Sequence, residues 1–562
     1  MDKENITELY DLLDFTDAKK LIILENLVSS QVSLYDSIDV SEDVYKDTGI
    51  DRWCQTLPTL EGSKHLIHKM IRCPANDLQL LLQRQKSYFK TPIDFSILKE
   101  YENDALWIYK LNNEVKENNF INVLFPSTFS FLNYIEPLLE FYHMYKIYLI
   151  PLNVIIYPIL SLFAPLYYLN KYLMFNITIT SYIQILFKIL KMLFTFTGDI
   201  KTTLIKIISV CTYIFLFAYN VYQTAEYSYM LYKIKDTLYK KIFNLSMFLK
   251  EASQILTVDV PNASELLKPF IKLKEHTSLN ITGINADFPS IYRIWKDNSI
   301  KDAISNVLLK IYSLDVLNSI SCLKGFCKID YSQDGESKLW NMRNPLLSSG
   351  QTANPVDLSR NIVITGPNAA GKTTYVKSIL SNIILAQTFG IAYAQKGTIN
   401  IYDSIISFMR ISDVLGTKSY FEAEAEYCLK MMKKAKELCD NNKRGLFLMD
   451  EPMHSTPPTE GMATAYAVAE YIGNLSGSTV ILTTHFHKLV QLEDRYPEKF
   501  INLSVEAIPL PNRAFKFPYA IRKGYSYQCI AIELLCSKEF PEEVIESAIN
   551  MKNKIYDEIS SR

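Results

Sequence analysis

Residues 147–169, IYLIPLNVIIYPILSLFAPLYYL, run for 23 residues without a charge. A helix of that length reaches across the roughly 30 Å of a bilayer's hydrocarbon layer. A second uncharged run, Ile207 to Ala225, is 19 residues long and reaches nearly as far. Thirteen residues of the first run are Leu, Ile, Val or Phe, whose insertion is worth at most about −4 to −8 kcal/mol together. Pro151, Pro158 and Pro165 are seven apart and share one helix face. Each costs about 3 kcal/mol inside a soluble helix, whereas spanning helices tolerate them better. The alternative is a pair of buried core helices, but two long uncharged runs in tandem exceed what a soluble core needs. Insertion in a membrane is therefore expected, through 147–169 and 207–225.

A third apolar stretch, Tyr172 to Phe187, is shorter and reads as interfacial or as a further span. Lysines lie both between the two long runs and after them, so the bias of positive charge does not set the orientation. If the flanking helices pack as one domain, the crossings are even in number. Two are expected, with four as the alternative.

The rest of the chain divides around this insertion. Its 562 residues suffice for three or four domains. Residues 1 to about 145 read as helices, and 146–226 as the transmembrane insertion. Residues 227–340 return to amphipathic helices, in which Leu231, Ile234, Leu238, Ile242, Leu245 and Leu249 form one stripe. From 341 to 562, short apolar runs alternate with helical stretches, the pattern of an α/β domain with a largely parallel sheet. The net charge of −1, with no basic run longer than two residues, supplies no global field for polyanions. Nine scattered cysteines without a C-x-x-C pair read as reduced thiols. The acidic start MDKENITELYDLLDF predicts no cleaved signal peptide.

The strongest chemistry lies in the last region. Asn361 to Thr365 is a short buried-strand run leading into Gly366-Pro-Asn-Ala-Ala-Gly371-Lys372-Thr373, which fits G-x-x-x-x-G-K-[ST] in full. A helix over Tyr375–Thr388 follows, with Gly390 as its stop. In such a loop backbone N–H groups surround phosphate oxygens, Lys372 reaches the outer phosphates, and the Thr373 hydroxyl holds Mg²⁺. Leu446 to Glu451 is an apolar strand ending in two carboxylates. Asp450 suits Mg²⁺ and Glu451 suits the general base that activates water. A strand over Thr479–Thr483 runs into His485, at the nucleotide edge of a parallel sheet. In Ser419-Tyr-Phe-Glu422 a capping box starts a helix, and a serine at a helix N-terminus is also a phosphate ligand.

These residues together resemble the MutS family of DNA mismatch-repair ATPases. TGPNAAGKTTY is similar to the family's P-loop, LMDEPMHSTPPTEG to its Walker B strand and following loop, and TTHFHKL to its switch-histidine motif. LGTKSYFEAE resembles the signature segment, which places Ser419 on the partner subunit's nucleotide. Arg343-Asn344-Pro345 resembles an Arg-His-Pro ahead of the ATPase domain, with Asn for His. FPYAIRKGYSYQCIAIELL and FPEEVIESA resemble the closing strands and dimerising helices. Thr59, Gly62 and Leu66, then Pro74, Asp77 and Arg84, resemble the start of the helical core.

The resemblance implies ATP and Mg²⁺ as cofactors. Gly366, Asn368, Gly371, Lys372, Thr373 and Thr374 would touch the nucleotide, Thr373 and Asp450 the metal, and Glu451, His485 and Ser419 the reacting end. It implies a homodimer and DNA as a client. Departures accompany it. The core motif starts near residue 56, so mismatch-reading and connector domains are not expected ahead of it. Glu422 and Ala423 replace apolar residues of the signature helix, Gln351 stands where an aromatic commonly precedes Asn354-Pro355, and Pro457-Pro458 replaces Ser-Thr.

The expected fold is α plus α/β: a helical core and lever region with an inserted transmembrane segment, then a P-loop (ABC-like) ATPase domain. The expected protein is multi-pass, its ATPase domain on the cytoplasmic side, coupling ATP hydrolysis to dimer closure on DNA. The alternative is a nucleotide-gated membrane scaffold that organises protein partners without DNA.

Overall fold

The computed structural model describes residues 16–111, 123–193, 200–273, 284–332, 335–348, 350–409, 420–454, 457–510, 515–528, 530–538 and 540–560. The chain forms two compact units, each assembled from separated segments. The first takes Met1–Asn26, Ile97–Ile255 and Glu275–Leu308; the second takes Leu27–Ser96, Leu256–Lys274 and Leu309–Arg562.

In the first unit both long uncharged runs are helical. Ile150–Tyr172 (α1) carries most of the first, and Ile179–Leu193 (α2) follows it. Ile200–Gln254 (α3), 55 residues long, contains the second. A five-residue π turn, Tyr145–Leu149, precedes α1, and there the Ile150 N–H bonds the Tyr145 carbonyl. The wide turn falls just before Pro151, whose missing N–H and ring would break a regular ladder at this point. Pro158 and Pro165 stay inside the helix.

The two halves of α3 behave differently. Within its second half Leu231, Ile234, Leu238, Ile242, Leu245 and Leu249 are all buried, as their spacing predicts. Asp104 fastens that half by accepting from Lys241 Nζ at 3.0 Å and Asn244 Nδ2 at 2.6 Å. The apolar first half is bare. Of the most apolar stretch of each long helix, only 6% is buried in Glu136–Tyr172 and 0% in Leu204–Asp259. Among the described residues, neither run is packed as a core helix.

The second unit is built on a seven-stranded sheet. Its strands are Asp39–Val40 (β1), Asn361–Thr365 (β2), Ser404–Phe408 (β3), Gly445–Asp450 (β4), Ser478–Thr483 (β5), Phe500–Ser504 (β6) and Arg522–Lys523 (β7). They lie in the order β7-β6-β2-β5-β4-β3-β1, and every pair is parallel except β6 with β7. Strands β2 and β3 are buried along their whole length, and the apolar centre of β2, Ile362 to Ile364, is the run legible in the sequence. A smaller five-stranded sheet, from Cys327–Tyr331 to Lys396–Ile399, packs its own strands with mixed polarity.

Two expectations need correction. The first 145 residues, read as helices, also supply β1 to the edge of the large sheet. The strands of the smaller sheet begin at Cys327, ahead of the expected boundary at 341. Strand β1 and the strand at Cys327 are both short, and β1 holds its place through a long-range pairing that no local pattern announces.

Three helices of this unit matter for the site: Lys372–Phe389 (α4), Tyr420–Asp440 (α5) and Pro458–Asn474 (α6). Helix α4 starts three residues earlier than the sequence suggests and stops at Gly390, whose φ of 71° closes it in the left-handed form. Its last carbonyls are met from outside the helix. Tyr331 Oη donates to Ala386 O at 2.8 Å, Ala75 N to Gln387 O at 2.8 Å, and Arg84 Nη1 to Thr388 O at 2.7 Å. Tyr88 Oη donates to Phe389 O. Side chains and backbone from residues 75–88 and 331 thus satisfy the end that a helix leaves open.

Candidate active site

Strands β2, β4 and β5 are neighbours and end at the same edge of the sheet. Whatever follows them in sequence is brought together by that register: Gly366 after β2, Glu451 after β4, and Thr484-His485 after β5. The carboxyl edge of a parallel sheet is where α/β folds gather ligand groups.

The turn from β2 into α4 depends on glycine at two places. At Gly366, φ is 142° and a Cβ would meet the Val505 carbonyl oxygen at 2.3 Å. At Gly371, φ is 97° and a Cβ would press on the Tyr519 ring at 3.0 Å. Ala369 between them also sits at positive φ, 66°. The loop is thereby wrapped around the amino end of an 18-residue helix, whose open N–H groups and dipole favour an anion.

Lys372 is 4% exposed and donates to Gly366 O at 2.8 Å and Pro367 O at 3.4 Å. Its Nζ stands 3.7 Å from Glu451 Oε1. Burial lowers its pKa from the usual lysine value, and the charges of Glu451 and Asp450 oppose that shift. Beside it, Thr373 Oγ1 donates to Asp450 Oδ2 at 2.9 Å. The Thr483 hydroxyl also donates to Asp450, and the Glu451 N–H bonds Thr483 O at 3.1 Å and its Oγ1 at 3.2 Å.

Glu451 itself is strained, with φ of 53°, and Met453 has φ of 58°. Non-glycine residues at positive φ cost energy and cluster at functional sites. The Glu451 carboxylate meets His485 Nε2 at 2.6 Å, and the same nitrogen lies 2.8 Å from Asn368 Oδ1. Facing two oxygens, Nε2 carries the ring proton, so Lys372 Nζ at 3.2 Å is a cationic neighbour and not its hydrogen-bond donor. The His485 hydrogen bond holds the Glu451 carboxyl below the usual carboxylate pKa, against burial; the charges of His485 and Lys372 add to the lowering.

Of the residues singled out in the sequence, Gly366, Asn368, Gly371, Lys372, Thr373, Asp450, Glu451 and His485 come together here. Thr374 is exposed on the first turn of α4 and lines the adjoining cavity. Ser419 lies outside the described residues, as does Thr456; helix α5 is described from Tyr420 onward.

The cavity measures about 650 Å³ and runs from the loop to residues 342–354 and Tyr519. That is within the range for a nucleotide-sized ligand. Gln351 is bound at both ends of its amide: Oε1 accepts from Asn344 N at 2.7 Å, and Nε2 donates to Asn344 O at 2.9 Å. It braces the segment and offers no aromatic face. Two tyrosines line the cavity: Tyr375 is buried, and Tyr519, at φ of 53°, is 51% exposed and offers its ring. Asn354 positions that turn, donating to Tyr519 O and accepting from Ile521 N, both at 2.8 Å. Tyr519 and Thr483 are the residues that sequence reasoning missed. Thr483 was detectable as the hydroxyl ending a strand beside Asp450; Tyr519 carried no local signal.

The donor set fits a hard divalent cation. Thr373 and Asp450 present only oxygens and converge next to the loop, as Mg²⁺ sites beside phosphates do.

Comparison with known proteins agrees with this geometry. Residues 362–556 match MutS domain V. The chain is 26% identical over 316 residues to the DNA mismatch repair protein MutS of Listeria monocytogenes serotype 4a (strain HCC23), covering 53% of this chain and 35% of that protein. It is 29% identical over 271 residues to MutS of Thermosipho melanesiensis (strain DSM 12029 / CIP 104789 / BI429), covering 46% and 32%. To the DNA mismatch repair protein Msh2 of Dictyostelium discoideum it is 32% identical over 200 residues, covering 35% and 21%. The chain thus spans about a third or less of the length of these curated relatives. At low identity and over part of its length, the chain is similar to MutS-family proteins, and the match to MutS domain V over residues 362–556 supports its membership of that family.

Proposed function

We propose that this protein is a membrane-anchored, Mg²⁺-dependent ATPase whose dimer closes on nucleotide and acts on DNA. One observation carries the reading: a buried lysine, a hydroxyl–carboxylate pair and a strained, histidine-bound glutamate meet at one sheet edge, beside a helix amino end.

Each residue has a task there. The N–H groups of the 366–373 loop and Lys372 bind the phosphates. Lys372 now donates to neutral carbonyls of its own loop; a phosphate is the stronger, charge-assisted acceptor. Thr373 and Asp450 would hold Mg²⁺, which when bound neutralises phosphate charge. Glu451, kept ionised by its neighbours, takes the proton of the attacking water, and His485 and Asn368 set the direction of its carboxylate. Tyr519 offers a face to the nucleobase. The family resemblance supplies the dimer and assigns Ser419 to the partner's nucleotide.

The membrane part rests on exposure. Two helices in the first unit are long and apolar enough to cross a bilayer, and their apolar stretches are almost wholly uncovered. Exposed tyrosines flank the uncharged runs, Tyr145 and Tyr148 ahead of α1, Tyr167, Tyr168 and Tyr172 at its end, and Tyr222 and Tyr229 on α3, while Tyr157, Tyr213 and Tyr219 are exposed within them. Such bands mark the headgroup level of a bilayer. They also account for part of the 37 tyrosines.

A net charge of −1, without a basic run, favours a second reading for the client: a scaffold whose nucleotide-gated dimer gathers protein partners. The deciding experiment is the ATPase rate of the protein in nanodiscs, with and without single-stranded, duplex and branched DNA at two salt concentrations. Stimulation that fades as salt rises supports DNA as client, because phosphate contacts release counterions. A rate indifferent to every DNA at low salt removes DNA and leaves the scaffold.

A further inference from the structure

Helix α2, Ile179–Leu193, stands between the two long apolar helices. Its 15 residues reach only about 22 Å, too short for the hydrocarbon layer. Its side chains sort by face. Thr180, Ser181, Gln184, Lys188 and Lys191 fall within an arc of about 100° in helical projection, and the other residues are all apolar.

That apolar face is hardly used by the protein. Phe187 and Met192 are each 69% exposed, and from Ile183 to Met192 only Leu186 is partly covered. Contacts among the described residues hold the start of the helix. Asn170 closes the preceding turn, accepting from Ile177 N at 2.7 Å and donating to Ile177 O at 2.8 Å. Tyr182 is buried, and its hydroxyl donates to Leu162 O at 2.8 Å.

Charge points to the occupant. No Asp or Glu occurs between Glu140 and Asp199, while Lys146, Lys171, Lys188 and Lys191 do. At the end of α1, Lys171 donates to Tyr167 Oη at 2.6 Å and lies over the Tyr172 ring, an aromatic and cationic cluster suited to headgroup level. An exposed apolar face beside a lysine-bearing polar edge is the pattern of a helix lying in a bilayer's surface.

We propose that α2 lies in the polar boundary of the leaflet reached by the connection between the two spans, with Lys188 and Lys191 on anionic lipid headgroups. This rests on the membrane reading above and adds the depth, orientation and lipid class of one helix. Each lysine close to an anionic leaflet strengthens attachment roughly fivefold, so the pair is worth on the order of thirtyfold.

Hydrogen–deuterium exchange of the full chain in nanodiscs tests it, in neutral phosphatidylcholine and with phosphatidylserine added. Peptides from 150–170 and 207–225 report the spans; those from 179–193 report α2. The expected result is slow exchange of the spans in both lipids, with α2 slowed on the order of thirtyfold further by the anionic lipid. Lys188→Gln with Lys191→Gln loses that increment, and Lys188→Arg with Lys191→Arg keeps it. Slow spans with an α2 that ignores lipid charge overturn the headgroup contact. Slow spans with a fast α2 in both lipids overturn its place in the boundary. Fast spans sink the membrane reading itself, and the proposal with it.

Discussion

The sheet edge of the second unit and the apolar helices of the first depart from ordinary soluble folding in opposite ways. At the edge, charge is buried and backbone is strained: Lys372 is 4% exposed, and Ala369, Glu451 and Met453 sit at positive φ. In the helices, apolar surface is left bare and almost no charge is present. A buried lysine costs energy unless an anion receives it, and an exposed isoleucine face costs energy unless hydrocarbon covers it. Each region therefore describes its missing partner by the rule it breaks. One fits phosphate and the other fits lipid.

The largest effect expected at the edge is on hydrolysis. Glu451→Gln keeps the size of the side chain and the hydrogen-bonding capacity toward His485 but removes the proton acceptor. Turnover should fall by about 10²–10⁴-fold with ATP still bound, as loss of a general base does. Single-turnover hydrolysis beside an ATP-binding isotherm separates the two. Unchanged turnover would make another group the base and leave the strain at Glu451 without a catalytic reason.

The matching test of the helices places a charge where lipid is expected. Leu160 is 62% exposed near the middle of the first uncharged run, so Leu160→Arg disturbs little within the protein. In a bilayer it should cost about 2.5–3.5 kcal/mol at the centre of a span. Carbonate extraction of membranes should then release a larger share of the variant. If wild type and variant both remain soluble and folded, the bare apolar face belongs to a protein partner and the contrast with the phosphate site collapses.

How much of this was legible beforehand differs between the two regions and within each. Strands β2, β4 and β5 were readable because parallel strands buried on both faces become continuous apolar runs, and the residues closing them fell at fixed offsets. The buried stripe of α3 followed from helical spacing. What could not be read depends on contacts distant in sequence. Strand β1 is two residues from the amino-terminal third, held by pairing with β3. Arg84 stood out only through the family resemblance of the helical core, and nothing local announced that it is 4% exposed and binds the carbonyls of Pro269 and Thr388. Gln351, marked as the place of a missing aromatic, proved to be a backbone brace, while the exposed aromatic lining the cavity is Tyr519, far along the chain.

That substitution of one aromatic source for another gives a smaller test. Tyr519→Ala should weaken ATP binding by about tenfold, since stacking on one base is worth about 1–3 kcal/mol. Tyr519→Phe should leave it nearly unchanged, and equilibrium binding of ATP against inorganic triphosphate is the measurement. A loss shared equally by triphosphate would place Tyr519 on the loop through Gly371 and not on the base. The cavity would then be a phosphate site with no built place for adenine.

The smallest effect concerns the acid limb of stability, where the two regions should part company. The Glu451 carboxyl is held below its ordinary pKa, first by the His485 hydrogen bond and then by the charges of His485 and Lys372. A carboxyl with a depressed folded value binds its proton more readily in the unfolded chain. Its contribution to stability is therefore complete above the unfolded pKa of about 4.3 and is lost as pH falls through the lower folded value. Between neutral pH and that range, Glu451→Gln should lower the melting temperature by a constant, small amount. Below it the difference from wild type should shrink toward zero, in calorimetric scans followed from pH 7 to pH 3. Leu160→Arg should show no such convergence, because arginine stays charged throughout and its cost comes from hydrocarbon. If the Glu451→Gln difference did not depend on pH, the carboxylate would gain nothing from His485 and Lys372, and the strained turn at residue 451 would need a cause other than their charge.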